Sequence, residues 1–154
     1  MMAESAPELV APYVEPLARL IEHRATRHRW EAVHALSLVT SLVPDEIAEL
    51  LPRLHDRLII DKSVIVRDYA TDIIANYAGT SPEAATVAFP ILREMLTLWS
   101  GKQARHALEG LALVARQRPE PCIEIVSLAQ AAAADRLKVV QRVARRIVRE
   151  FGAP

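Results

Sequence analysis

An all-α chain of about four repeated helix pairs, eight helices in all, is what the sequence predicts, on three observations. The apolar residues are mostly Ala, Leu, Val and Ile, with 4 glycines in 154 residues, a mix that favours helices. Two segments 74 residues apart match along their length: DKSVIVRDYATDIIANYAG from Asp61 lies over DRLKVVQRVARRIVREFG from Asp135. This pairs Val66 with Val140, Ala70 with Ala144, Ile73 with Ile147 and Tyr77 with Phe151. Finally, Pro16, Pro52 and Pro90 recur at spacings of 36 and 38 inside helical apolar patterns. Repeats of that length are the mark of stacked helix-pair units.

The elements follow in order. The first helix, near 7–23, has Ser5 and Glu8 as a capping box and Pro16 within YVEPLARLI. The second, near 27–43, places Ala35, Leu38, Val39 and Leu42 on its inner stripe. Pro44 opens the third, near 45–60, which contains Pro52. The fourth, near 63–78, carries Val66, Ala70, Ile73 and Tyr77 inward and stops at Gly79, a residue that accepts the left-handed conformation. Thr80 and Glu83 cap the fifth, near 82–99, with Pro82 in its first turn and Pro90 inside. The sixth, near 102–117, turns Ala104, Leu108, Leu111 and Ala115 inward, with Gly110 allowing a close helix contact. The seventh runs near 120–134. The eighth, near 136–151, buries Val140, Val143, Ala144, Ile147 and Phe151 and stops at Gly152. Interior prolines are expected to kink their helices.

No Gly- or Ser-rich linker divides the chain, so one domain over 1–154 is expected, with units near 7–43, 44–79, 80–118 and 119–152. Net charge is zero, which gives no global pull toward nucleic acid or membrane. A single Cys122 excludes an internal disulfide framework and fits a reducing compartment. The N-terminus carries Glu4 and Glu8 and no signal-like apolar run, and no stretch is long enough to span a bilayer. A soluble, cytoplasmic protein is expected.

The unit of about 36 residues, its proline-bearing first helix, and the Asp-x5-Arg of Asp61 and Arg67 resemble HEAT repeats of the armadillo-like class. Val66–Arg67 is the Val-Arg pair, and Ala104–Arg105 is similar to it one unit later. The fourth copy keeps Asp135 but has Gln141 for the arginine; the first has Thr26 and Ala32 in those places. The resemblance implies a right-handed α-α superhelix with the second helices on the concave face. It also implies a structural ladder between units, made here by Asp61, Arg67, Arg105 and Asp135.

Charge placement is the main functional signal. From Arg136 to Arg149 there are six basic residues and no acid, and Lys138, Arg142, Arg145 and Arg149 share one helix face beside Arg146. Like charges on neighbouring turns repel, so local stability does not explain the stripe. A second cluster joins Arg19, Arg24, Arg27 and Arg29 with His23 and His28, while Asp45, Glu46, Glu49, Asp56 and Asp61 make the middle acidic. Enzymatic readings find little. Alkylpurine DNA glycosylases of HEAT-like fold need aromatics beside a basic groove and a catalytic carboxylate. Here the free aromatics are Trp30 and Trp99, since Tyr69 and Tyr77 fall at apolar positions. No histidine is followed by Glu, as in di-iron HEAT hydroxylases. No feature points to a bilin chromophore, and Cys122 has no adjacent histidine.

The sequence therefore predicts a non-catalytic scaffold without cofactor or metal. It binds a protein or peptide through Trp30, His34, Arg105, His106, Glu109, Arg142, Arg145 and Arg149 on the second helices. Nucleic-acid binding with glycosylase-like activity is the runner-up, and a self-associating structural subunit a third reading.

Overall fold

The computed structural model describes residues 2–99 and 101–152, and these form helices with no strand among them. A short α1 (Met2–Ser5) and two 3-10 turns (Pro7–Leu9, Ala11–Tyr13) lead into four helix pairs. The pairs are α2 (Val14–Leu20) with α3 (Thr26–Val39), α4 (Pro44–Ile60) with α5 (Val64–Ala78), α6 (Pro82–Leu98) with α7 (Gln103–Gln117), and α8 (Cys122–Ala132) with α9 (Lys138–Phe151). The second helices pack in the order α3, α5, α7, α9, and each first helix lies against its own partner.

One apolar cluster runs through all four pairs, from Val14 and Leu36 through Ile73 and Leu108 to Ile147. Burial of each such Leu or Ile side chain contributes about 1.5–3 kcal/mol. The predicted inner residues of α5, α7 and α9 are buried, with Phe151 half-buried. On α3 the predicted stripe is out of register. Ala32, Val33, Leu36 and Val39 are buried, Ala35 and Leu38 are half-buried, and Leu42 is 50% exposed. Across the first-helix row, Arg53 pairs with Glu22 at 3.0 Å, His55 with Glu94 at 2.7 Å and Arg93 with Glu124 at 2.9 Å.

Several local expectations are corrected. Pro52 and Pro90 lie inside their helices, but Pro16 falls in the first turn of α2, because the chain before Val14 winds as 3-10 turns rather than as helix. The missing proline donor costs nothing there, since first-turn N–H groups have no helical acceptor. Ser5 ends α1, and the 3-10 turn that follows has Ala6 at its N-cap. At α6 the cap is Ser81, whose hydroxyl accepts from Ala84 N at 3.0 Å, while the Thr80 hydroxyl turns back and donates to Tyr77 O. Gly79 caps α5 in right-handed conformation (φ −77) and Gly152 is extended (φ −67), so neither stop uses the left-handed region. Gly101 does (φ +96), at the turn into α7. The role expected of Gly110 holds: a Cβ there would come within 2.7 Å of Leu92 and 2.9 Å of Ala75.

Candidate protein-interaction site

The turn before each second helix sets the orientation of that helix, and three of the four turns use one device. Asp61 Oδ1 accepts from Ser63 N at 2.9 Å, and Asp135 Oδ1 accepts from Leu137 N at 2.7 Å. His23 Nδ1 takes the same place, accepting from Ala25 N at 3.1 Å. A side chain six residues on then donates to that turn residue's carbonyl: Arg29 to His23 O (2.9 Å), Arg67 to Asp61 O (2.7 Å) and Gln141 to Asp135 O (2.6 Å). A side-chain acceptor bonding the N–H two residues ahead is a stable turn nucleus. Gln141 thus performs the arginine's turn contact. The first unit's equivalents are His23 and Arg29, not Thr26 and Ala32, which accounts for the register error on α3.

At Asp61 and Arg67 side chains reach across neighbouring units, and elsewhere the contacts differ. Arg29 clamps the buried Asp61 carboxylate with two bonds, 2.7 and 3.2 Å. Burial raises the Asp61 pKa, but the Arg29 hydrogen bond, the Ser63 N–H and the charges of Arg29 and Arg57 outweigh it, so the carboxyl ends below its usual range. One unit on, Trp99 stands where Asp61 stood. The Arg67 guanidinium lies 3.9 Å from its ring centroid and donates to Gln103 Oε1 at 3.1 Å. Trp99 Nε1 donates to Leu58 O at 2.8 Å. Arg105 leaves the ladder and turns to His106 (2.9 Å), and Asp135 serves only its own turn.

Arg105 also orders a polar network. A guanidinium only donates, so His106 Nε2 is the acceptor and the ring's proton sits on Nδ1, 2.6 Å from Asp72 Oδ1. Asp68 Oδ2 lies 3.6 Å from Nε2, and its buried Oδ1 has no partner among the described residues. Burial, chiefly, pushes the Asp68 carboxyl up, reinforced by Asp72 and opposed by the neighbouring His106 ring and the charges of Arg105 and Arg67. Asp68 and Asp72 face opposite ring nitrogens, so the three groups cannot share one metal ion. His106 is therefore an internal residue rather than a contact residue. His34 is likewise engaged, stacked on Tyr69 with centroids 4.4 Å apart and 3.6 Å from Glu4. Trp30 is 37% exposed on α3, away from the features below.

The remaining expected site residues converge on the last two second helices. Val140, Val143, Ala144 and Ile147 anchor α9 in the core, which turns its basic stripe outward. Arg116 holds Glu150 through two bonds at 2.8 and 3.1 Å, and Arg146 donates to Glu109. Between α7 and α9 lies a groove of about 610 Å³. Lys102, Arg105 and Glu109 form one wall, Arg142, Arg146 and Arg149 the other, over Val139 and Val143. On the far flank of α9, a second groove of about 440 Å³ adds Lys138, Gln141 and Arg145. Lys102, Lys138, Arg142 and Arg149 have no ion-pair partner among the described residues. Lys102 was missed in the sequence, although its i, i+3, i+7 spacing to Arg105 and Glu109 puts the three on one helix face.

The other charge cluster disperses. Arg29 is internal, Arg19 pairs with Glu15 at 3.1 Å and Arg27 with Glu31 at 3.6 Å. The Cys122 thiol is pushed up by burial and by Glu120, contrary to an activated nucleophile. Among the described residues no helix is long and apolar enough to cross a membrane.

No family model matches the chain, and no curated protein does. Two crystal structures of engineered proteins share its fold. One has a TM-score of 0.73 and 21% identity, over 97% of this chain and 40% of that one. The other has a TM-score of 0.70 and 20% identity, over 90% of this chain and 62% of that one. The chain thus spans less than two-thirds of either neighbour. At such identities the likeness concerns the all-α fold alone.

Proposed function

We propose that this chain is a non-catalytic interaction scaffold, a HEAT-like α-solenoid of the cytoplasm that grips a partner protein segment along its second-helix row. The α7–α9 groove carries the reading: among the described residues five cations line it, and the carboxylate beside them, Glu109, already holds Arg146. Like charges so placed repel one another, and an anionic partner relieves that cost. Glycosylase-like action has less support, since no aromatic ring lines either groove and Trp99 is engaged by Arg67 and Leu58. Nucleic-acid binding keeps one favourable observation, the row Lys138, Arg142, Arg145 and Arg149 along α9.

Affinity capture from a lysate of the source cell, with a nuclease-treated control and an R142E/R145E/R149E variant for comparison, tests the proposal. A specific protein retained by the native chain and lost with the variant is expected. Nucleic acid captured instead and lost with the variant, or a protein bound equally by both chains, contradicts it.

A further inference from the structure

We infer that the α7–α9 groove takes an acidic amphipathic helix, a partner chemistry that deepens the scaffold reading and rests on it. The groove has an apolar floor, Val139 and Val143, between two cationic walls. Its complement is an apolar stripe flanked on both sides by carboxylates, which an amphipathic helix with Glu or Asp beside its apolar face presents. Phosphates satisfy the walls but add no apolar cover over the half-buried Val139. Bases of a single strand seek aromatic faces to stack on, and no aromatic residue lines the groove.

The dimensions agree. From Val139 to Arg149 the floor and wall run ten residues along α9, roughly 15 Å at helical rise, which a docked helix of about three turns covers. Arg142 and Arg149 have no ion-pair partner among the described residues. Arg146 Nε is buried without an acceptor, a costly state that a small rotation toward an incoming carboxylate removes. A second copy of the chain is a poorer occupant. Its acidic stretch on α4, with Asp45, Glu46, Glu49 and Asp56 exposed, keeps Ile47 and Leu50 buried in its own core.

The test is fluorescence anisotropy on the full chain with three labelled probes: an acidic amphipathic helical peptide of about 18 residues, a scramble of the same composition, and a single-stranded oligonucleotide. The amphipathic peptide is expected to bind at least about tenfold more tightly than the scramble. R142E/R149E should weaken it by tenfold or more on the order expected for paired charges, and V139S by roughly three- to tenfold. R19E, on α2, should leave it unchanged, and thermal melts establish that each variant is folded. Equal binding of peptide and scramble, tighter binding of the oligonucleotide, or indifference to V139S overturns the inference. If the peptide fails while lysate capture still yields an arginine-dependent protein, this inference falls and the scaffold reading stands. If both fail, both fall.

Discussion

Asp61 and Asp68 sit seven residues apart and titrate in opposite directions, because one is clamped and the other half-paired. Asp61 is buried under two Arg29 bonds. Removing one member of a buried pair strands the other's charge, so Asp61→Ala is predicted to cost about 3 kcal/mol or more, read by urea denaturation. Its carboxyl is held below the ordinary 3.8. The stabilisation is therefore full above that value and lost as pH falls through the folded-state value. Asp68 is held above 3.8, so the native state retains its proton longer than the unfolded chain does. Its effect has the reverse sign: stability falls as pH rises through that window. Asp68→Asn is predicted to raise the melting temperature at pH 7, with the gain disappearing in acid. An equal gain at all pH values contradicts this account. The Asp61 role was legible from Asp-x5-Arg. Its true partner was not, because Arg29 reads in sequence as one of a run of surface cations, and only the turn at His23 brings it inward.

At the scale of elements, α7 is the pivot, packing on α5, α6 and α9. At Gly110, α7 packs directly against Leu92 of α6 and Ala75 of α5. A methyl group there overlaps Leu92 and Ala75. Helix propensity favours Ala over Gly by about 1 kcal/mol, while forcing atoms into a packed contact costs about 1–3 kcal/mol. Gly110→Ala is therefore predicted to be destabilising, and Gly110→Leu more so; a stabilised Gly110→Ala contradicts the close contact. Periodicity made α5, α7 and α9 legible, since apolar residues at helical spacing have one way to face a core. It failed at the first unit for a physical reason. Pro12 and Pro16 remove donors that a helix over 7–23 needs, and the chain winds as 3-10 turns until Val14. With the first turn misplaced, the α3 stripe was displaced too.

Over the whole molecule, charge is sorted by row. The first helices are tied to one another through Arg53–Glu22, His55–Glu94 and Arg93–Glu124, with an acidic excess left on α4. The second-helix row places engaged acids on α5 and, on α9, the cations Lys138, Arg142 and Arg149 with no ion-pair partner among the described residues. The α9 stripe is legible from its spacing, and Arg105 and Glu109 from their places off the apolar stripe of α7. The groove floor is not, because it depends on how far apart α7 and α9 stand. The engagement of His34 and His106 is not legible either, because their partners Tyr69 and Asp72 lie on α5, more than thirty residues away in sequence. Because Arg142, Arg145 and Arg149 are exposed, their joint reversal to Glu is predicted to leave the chain folded, with a melting temperature within a few degrees of native. Binding loss is then a surface effect.

The central claim is that a partner seats between α7 and α9, and backbone chemical-shift mapping with the captured partner tests it most directly. The account predicts shifts concentrated at Lys102, Arg105, Val139, Arg142 and Arg149, with α2 and α4 unmoved. Shifts confined to the first-helix row, with α9 silent, would contradict it.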